Sequence, residues 1–371
     1  MALRHPDCEY RAIFLDMEMF FFRLLSGIWR WLGGEVADGV GFFYWTFGIV
    51  LLHLHFQCGE MTDGKRYHDF PSFFKGMFHE RVQKLSIDGG FTCPNRDGTK
   101  GTGGCTFCNN RSFNPEYCRA TASVSRQIEE GRRFFARKYD GQKYLAYFQA
   151  YSNTYAPLSE LRRKYEEALS CPDVVGLVIG TRPDTVDEEI LDYIEGLARR
   201  CYVCIEYGVE SANDAVLERI NRGHMFGDAE AAIRMTAGRG IHIGAHLIFG
   251  LPGESPRSML EGAVRLCDLP IEVLKLHQLQ IIRDTRLADE YLADPSAFRL
   301  YSLDEYLDFV VEVIEHIRPD VYLERFVNQA PEEFLLAPKW GVKNFEFVAK
   351  LDKRLRERDG WQGKKYGMLN V

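Results

Sequence analysis

Apolar runs alternate with amphipathic stretches along most of the chain, at intervals of about 30 residues. Six short runs rich in aliphatic and aromatic residues predict strands that begin near residues 82, 143, 174, 201, 241 and 272. The intervening stretches, such as "PLSELRRKYEEAL" and "VDEEILDYIEGLARR", carry apolar residues at helical spacing. Strands and helices that alternate in this way are typical of a parallel sheet built from βα units. The pattern is compatible with a partial barrel or with a doubly wound sheet.

A different pattern follows the sixth strand. The stretch 302–319 predicts a helix, 321–327 predicts a short strand, and a basic, aromatic tail comes after them. We therefore expect an α/β protein in three parts. These are an N-terminal extension over 1–60, a core over 61–300 and a small α+β extension over 301–371.

The N-terminal segment is rich in aromatic residues. Its uncharged run from Gly39 to His53 has about 15 residues, fewer than the roughly 20 that a membrane-spanning helix requires. No small-residue cleavage site follows it, which argues against a secretory signal. One interpretation is a membrane-surface helix or short hairpin. The interpretation that we favour is an extension upstream of a true start at Met61, in a cytoplasmic protein without membrane attachment.

Polar or glycine-rich segments follow five of the six predicted strands. They are the cysteine loop after the first strand and then "QAYSNTY", "GTRPD", "EYGVES" and "FGLPGE". Any one of these segments alone is an ordinary turn between a strand and a helix. The carboxyl ends of parallel strands, however, meet at one edge of a sheet or barrel, where ligands bind. Five such segments together predict a single site there.

The overall charge gives no attraction for nucleic acid, because the formal net charge is -7 and the pI is near 5.9. The tail from Lys339 onward differs, with nine basic residues against four acidic ones and five aromatic residues among them. Such a segment can follow a phosphate backbone and stack on bases. It also fits an amphipathic helix that is packed by its aromatic face.

Three of the ten cysteines lie close together in a glycine-rich loop, "FTCPNRDGTKGTGGCTFCNN". Cys105 and Cys108 form a C-x2-C pair, and Cys93 lies 12 positions before Cys105. A four-iron cluster held by three thiolates leaves one iron open to a cofactor or substrate. The glycines would let the loop fold closely around such a cluster.

Zinc is the alternative for this loop. A structural zinc site takes four ligands, so Cys118 would have to join the other three. Cys201 and Cys204 are poor candidates, because side chains three apart in a strand point to opposite faces. The spacing of the cysteines alone leaves zinc and iron–sulfur equally open, and zinc would indicate a nucleic-acid-binding protein.

Several motifs together resemble the radical SAM superfamily. Phe107 stands before the last cysteine of the C-x2-C pair, and "HLIFGLPGE" resembles the superfamily's adenine-side motif. The longer motifs "SIDGGFTCPNRDGTKGTGGCTFCNN", "YFQAYSNTYAP", "IGTRPD", "INRGH" and "APKW" resemble the YhcC-like family, over residues 64–365. The usual signature is C-x3-C-x2-C, whereas the first spacing in this chain is longer. The YhcC-like family has the same longer spacing. More distant relatives include the radical SAM core of the Elongator catalytic subunit, which acts on wobble uridine in tRNA.

The resemblance implies a partial (β/α)6 TIM-barrel-like core and an enzyme with two cofactors. A [4Fe-4S] cluster ligated by Cys93, Cys105 and Cys108 would reductively cleave S-adenosylmethionine, and the resulting 5′-deoxyadenosyl radical would abstract hydrogen from a substrate. The electron would come from an external donor such as flavodoxin or ferredoxin. The leading substrate is a modified tRNA nucleoside, with tRNA held by the basic tail. A radical SAM enzyme for a small molecule or peptide is the alternative within this class.

The resemblance also implies individual contacts. Lys275 and His277 end the sixth strand and would face the substrate. "QAYSN" takes the place of the Gly-Gly-Glu motif found elsewhere, so Gln149 and Asn153 would hold the amino group of the methionine moiety. The full set of expected cofactor contacts is Phe107, Gln149, Asn153, Thr181, Arg182, Glu206, Ser211, Ile248 and Gly250.

Overall fold

The computed structural model describes most of the chain after residue 63, namely residues 64–112, 114–115, 117–136, 142–149 and 151–369. The predictions for residues 1–60 and for a start at Met61 lie outside these ranges. Within them, no helix is long and apolar enough to cross a membrane.

The centre of the fold is a parallel sheet curled into a half-barrel. The strands of the chain are β1 (Val82–Ile87), β2 (Lys143–Phe148), β3 (Val174–Thr181), β4 (Tyr202–Glu210), β5 (His242–Phe249), β6 (Val273–Gln278), β7 (Ile281–Ile282), β8 (Tyr322–Arg325) and β9 (Leu335–Ala337). Seven of them form the sheet in the order β1-β2-β3-β4-β5-β6-β8, all parallel. The predicted partial barrel is confirmed, and the doubly wound alternative is wrong.

The sheet has one strand more than the predicted six. β8 pairs with β6 in parallel, with Val273 opposite Tyr322, and so extends the sheet at its edge. β7 and β9 form a separate antiparallel pair. The apolar run predicted near 272–282 is therefore two strands, since the chain leaves the sheet after Gln278.

Helices cover the outer face of the half-barrel. They are α1 (Phe70–Phe78), α2 (Val124–Ala136), α3 (Leu158–Leu169), α4 (Glu188–Ala198), α5 (Asp214–Arg219), α6 (Phe226–Thr236), α7 (Pro256–Cys267), α8 (Arg286–Ala293), α9 (Leu303–His316) and α10 (Asn344–Glu357). Three helices lie elsewhere: α1 at one end of the half-barrel, α8 against β7, and α10 against α9. Two of the helices, α1 and α8, were not predicted.

The two faces of the sheet differ in chemistry because strand side chains alternate between them. In β4, Ile205 and Tyr207 join the main apolar core under the helices, whereas Glu206 points to the inside of the half-barrel. β6 follows the same rule, with Leu276 in the core and Lys275 inside. The inner face therefore carries polar groups although the strands read as continuous apolar runs.

A second apolar cluster closes the amino-terminal end of the half-barrel. Phe70 and Phe74 of α1 pack against inward-facing residues, including Tyr202 and Val273, the first residues of β4 and β6. Asp69 caps α1 by accepting a hydrogen bond from the amide of Ser72 at 3.0 Å. The carboxyl-terminal end of the half-barrel remains for the site.

The middle of the basic tail, α10, is a packed amphipathic helix as in the second interpretation, but its buried face has one aromatic and two aliphatic residues. Phe347, Leu351 and Leu355 of α10 are fully buried against the core. Arg354 forms ion pairs with Asp304 and Asp308 of α9.

Candidate active site

The loop between β1 and α2 carries the three clustered cysteines in a tightly hydrogen-bonded path. The amide of Arg96 donates to the Cys93 carbonyl oxygen at 2.8 Å, and the amide of Cys108 donates to that of Cys105 at 3.1 Å. Gly104 has a φ of +76°, and a Cβ atom there would lie 2.8 Å from Nε of Arg96. The backbone conformation therefore favours glycine at this position, and any larger residue would also have to displace the Arg96 side chain.

A cavity of about 230 Å³ at the carboxyl ends of the strands is lined by all three of these cysteines. Residues from β2, β3, β4, β5 and β6 complete its wall. The predicted cofactor and catalytic residues that line it are Phe107, Gln149, Thr181, Arg182, Glu206, Ile248, Lys275 and His277. The sequence motifs at consecutive strand ends thus meet in one place, as expected for this architecture.

Three predicted cofactor contacts do not line this cavity. Asn153 is buried, and its side-chain amide donates to the Gly180 carbonyl oxygen at 2.7 Å. Ser211 donates to a carboxylate oxygen of Glu254 at 2.7 Å. Gly250 lines a neighbouring cavity formed by residues 250–255 together with part of α7 and residues 297–301.

Arg182 connects β3 to the two segments beside it. Its guanidinium forms a two-point ion pair with Asp184, both contacts at 2.8 Å, and donates to the Arg222 carbonyl oxygen at 2.6 Å. Lys100 of the cysteine loop contacts the same carboxylate at 2.6 Å. Burial alone would raise the pKa of Asp184, but Arg182 and Lys100 lower it to about 2.

A closed ring of four charges forms the floor of the cavity. Glu206 contacts Lys84 at 2.7 Å and Lys275 at 2.6 Å, and Glu324 contacts the same two ammonium groups at 2.7 and 3.2 Å. Burial opposes the ionisation of Glu206, but Lys275 and Lys84 hold its pKa well below the usual range. Two positive and two negative groups leave the ring without net charge.

Three further polar side chains stand on this floor. His246 contacts Glu206 through Nε2 at 3.0 Å, and its ring lies 5.7 Å from that of His277. Lys275 approaches the Tyr147 hydroxyl at 3.4 Å. Burial, together with His246, holds the pKa of His277 well below its usual range, so this imidazole is neutral at physiological pH.

Arg222 is a cavity residue that the sequence interpretation missed. It is 7% exposed, and its Nη1 lies 3.4 Å from the Cys105 sulfur. Arg96 lies beside the third cysteine, because its Nη2 donates to the Cys108 carbonyl oxygen at 3.0 Å. The motif "INRGH" contains Arg222 and was the available signal, but its contact joins residues 117 positions apart.

The other cysteines lie away from this cavity. Cys118 is buried and does not line it, and burial, reinforced by Asp88, raises the pKa of its thiol to about 12. Cys201 and Cys204 pack against different apolar clusters, so they face opposite sides of the sheet as predicted. Among the residues described, no three His, Cys, Asp or Glu side chains are grouped as a single-ion site requires. Cys118 does not line the cavity with the other three cysteines, as the zinc hypothesis requires of its fourth ligand.

Comparison with known proteins identifies the family. The model of the radical SAM superfamily matches residues 96–265, and that of the radical SAM C-terminal domain matches residues 271–357. The chain belongs to the radical SAM superfamily. Within this superfamily it resembles the protein YhcC of Escherichia coli strain K12, with 37% identity over 291 residues, 78% of this chain and 92% of that protein. The predicted membership of a YhcC-like radical SAM family is confirmed.

Radical SAM enzymes use a [4Fe-4S] cluster and S-adenosylmethionine, and these are the cofactors of this chain. The residues present fit the cluster. Three cysteine sulfurs line one cavity, a buried guanidinium lies beside one of them, and Gly104 lets the loop close. The superfamily also requires an electron donor.

Two further likenesses are more distant. The structure of Elp3 from Methanocaldococcus infernus has a TM-score of 0.55 at 16% identity, covering 76% of this chain and 64% of that one, and so shares the fold. A tRNA uridine(34) acetyltransferase from Dehalococcoides mccartyi is 26% identical over 167 residues. Those residues are 44% of this chain and only 35% of that protein.

Proposed function

We propose that Cys93, Cys105 and Cys108 ligate the [4Fe-4S] cluster and that S-adenosylmethionine occupies the cavity beside it. The observation that carries this proposal is that the three sulfurs share one cavity with side chains from five consecutive strands. When bound, the cluster supplies an electron from a donor such as flavodoxin or ferredoxin, and cleavage of S-adenosylmethionine gives methionine and a 5′-deoxyadenosyl radical that abstracts hydrogen from the substrate.

In this proposal the residues of the chain bind and orient S-adenosylmethionine. Gln149 and Thr181 present polar groups to the methionine and ribose, while Phe107 and Ile248 provide apolar walls that exclude water. Arg182 lines the same wall and stabilises it through Asp184 and the Arg222 carbonyl oxygen. Asn153, Ser211 and Gly250 act from behind the wall. Asn153 fixes the carbonyl group of Gly180, and Ser211 holds Glu254 in the loop that begins at Gly250 after β5.

The substrate side of the cavity is the floor formed by the charged ring. Lys275 is bound on all sides by acceptors, so it positions Glu206 and Tyr147 more readily than it binds a charged substrate. The neutral imidazole of His277 can accept a hydrogen bond from a polar substrate group or donate one to it. Arg325 lies exposed at the edge and offers a positive charge.

We propose a tRNA nucleoside as the substrate. The partial likeness to a tRNA uridine(34) acetyltransferase supports a uridine-containing substrate. Part of the tail is neutralised by ion pairs, but the remainder carries both exposed basic residues and exposed aromatic ones. The exposed residues are Lys339, Lys343, Phe345, Lys350, Arg356, Trp361 and Tyr366. These residues can contact phosphates and stack on bases.

The ligation is tested by purifying the protein without oxygen and counting its metals. We expect a brown protein with absorbance near 400 nm and about four irons per chain. Replacing Cys93, Cys105 or Cys108 by Ala should remove the iron, whereas Cys118→Ala should retain it. A colourless protein with one zinc, lost on Cys118→Ala, would establish the zinc alternative instead.

The substrate is tested separately, by comparing the modified nucleosides of tRNA from a deletion strain with those of the parent. We expect one nucleoside to change and to return when the wild-type gene is restored. The Cys105→Ala variant should not restore it. Unchanged nucleosides, with an intact iron–sulfur protein, would reject tRNA and direct the search to small molecules and peptides.

A further inference from the structure

Arg222 brings a buried positive charge to the cysteine loop. It follows α5 in a turn where Asn221 and Gly223 have φ values of +54° and +73°. Nη1 lies 3.4 Å from the Cys105 sulfur, and Nη2 donates to the Gly208 carbonyl oxygen at 2.5 Å. The side chain lines the cavity that the three cysteines share.

The charge of Arg222 is only partly balanced by the protein. The carboxylate in ion-pair contact is that of Glu210, at 3.5 Å from Nη2. Nε is buried and has no hydrogen-bond partner among the described atoms. A guanidinium does not lose its proton in a protein, so its burial is costly unless hydrogen-bond acceptors and negative groups compensate for the lost water.

A cluster held by three thiolates provides that negative group. Four irons and four sulfides with a charge of 2+ carry one net negative charge when three thiolates are added, and reduction by one electron increases it to two. A fixed positive charge next to the sulfur stabilises the reduced form more than the oxidised form. The electron itself comes from the external one-electron donor, which is oxidised.

We propose that Arg222 is a positioning residue that raises the reduction potential of the cluster and thereby favours its reduction by the external donor. This inference rests on the proposed ligation by the three cysteines. The inference concerns the side chain of Arg222 alone, since the backbone of this residue makes separate hydrogen bonds. Its carbonyl oxygen accepts hydrogen bonds from Arg182 at 2.6 Å and from Asn95 at 3.4 Å, and both contacts survive a change of side chain.

The test is the midpoint potential of the cluster, measured by a redox titration followed by electron paramagnetic resonance on the full-length protein, without substrate. Arg222→Gln should lower the potential and shift the signal of the reduced cluster. Arg222→Lys retains the charge on a shorter, compact head group, and its potential should lie between the two. Arg265→Gln removes an equal charge from the surface of α7, where Arg265 pairs with Glu230, and should change nothing.

Each outcome decides the question. If Arg222→Gln keeps four irons and the wild-type potential, the proposal is wrong. If Arg222→Gln cannot hold the cluster, the larger neutral variant Arg222→Met decides, and a potential equal to or above that of the wild type overturns the proposal. If the wild-type protein itself holds no four-iron cluster, then the ligation has failed rather than the role of Arg222.

Discussion

Lys84 of β1 and Glu324 of β8 join the two outermost strands of the parallel sheet through an ion pair of 2.7 Å on the inner face. These strands share no ladder hydrogen bonds, because β1 pairs with β2 and β8 pairs with β6. The side chains therefore bridge the open seam of the half-barrel where backbone hydrogen bonds do not. Glu206 and Lys275, from the middle of the sheet, complete the ring.

Breaking this bridge should destabilise the protein. Lys84→Met leaves the Glu324 carboxylate, which is 12% exposed, with one cationic partner instead of two. Removing one member of a buried ion pair costs roughly 3 to 5 kcal/mol, and we expect about 2 to 4 here because some solvent reaches the pair and Lys275 remains. Thermal unfolding under nitrogen measures this loss.

The matched control is the double variant Lys84→Met with Glu324→Gln. It removes one positive and one negative charge, so the remaining Glu206–Lys275 pair has no net charge. It should recover part of the stability that the single variant loses. A single variant as stable as the wild type would show that the seam needs no bridge.

Gly104 should support the iron content. Ala at this position would hold a φ of +76°, which costs roughly 1 to 2 kcal/mol, and its Cβ would displace the Arg96 side chain, whose Nη2 donates to the Cys108 carbonyl oxygen. We expect Gly104→Ala to lose most of its iron after anaerobic reconstitution, measured by iron analysis.

Gly196→Ala is the control for the glycine substitution, because Gly196 lies inside α4 with open space around its Cα. A Gly to Ala change within a helix is neutral or stabilises by about 0.5 to 1 kcal/mol. Equal iron in both variants would contradict the steric role of Gly104.

Stability should fall as the pH rises from 4.5 to about 7 because of Glu254. Burial raises the pKa of this carboxyl from 4.5 to about 7. The folded state therefore favours the protonated form. The associated stability is complete below pH 4.5, is lost as the pH rises to about 7, and then stays constant. The loss is at most about 3 kcal/mol.

Glu254→Gln tests this dependence, since Gln resembles the protonated acid and cannot ionise. The thermal midpoints of the two proteins should agree near pH 5, and the variant should be the more stable at pH 8. Parallel pH profiles for both proteins would mean that Glu254 ionises freely.

The exposed basic residues of the tail should set the affinity for tRNA. Replacing Lys339, Lys343, Lys350 and Arg356 by Gln should weaken binding. The slope of log affinity against log salt should fall by about 0.7 to 0.9 for each phosphate that the variant no longer neutralises. Filter binding at several salt concentrations measures the slope.

A variant of equal charge change provides the control for the tail. It replaces arginines that pair with glutamates on their own helices, namely Arg126, Arg133, Arg163 and Arg257. Its affinity should match that of the wild type. If both variants weaken binding equally, the tail has no specific part in it.

The strands of the core could be predicted because each is a compact apolar run, and all six begin within a residue or two of the expected positions. β8 was expected as a short strand, but its place beside β6 was not predicted. The two strands are more than 40 residues apart in the chain, and the local sequence pattern does not indicate which strands pair. α1 had a readable signal in Asp69 followed by Pro71, a helix cap and first-turn proline.

The site was predictable where a residue lies on the inner face of a strand and less so beyond the strand end. Lys275, His277 and Glu206 line the cavity because their positions alternate with buried aliphatic neighbours. Ser211 and Asn153 lie past the last paired residues, where the chain turns and the direction of a side chain depends on the turn. Arg222 contacts Cys105 only in the folded protein, and neither the cysteine loop nor the motif "INRGH" indicates this contact by itself.

The aromatic cluster that closes the amino-terminal end of the half-barrel has a consequence for the order of product release. Phe70 lies beneath the ammonium group of Lys84, 4.5 Å from its ring centre, and the inner apolar cluster fills the space below. Cofactor and substrate must then enter and leave through the same opening, at the carboxyl end of the strands. A macromolecular substrate bound over this opening would have to dissociate before methionine and deoxyadenosine could leave. Products would then be released in a fixed order, with the macromolecule first.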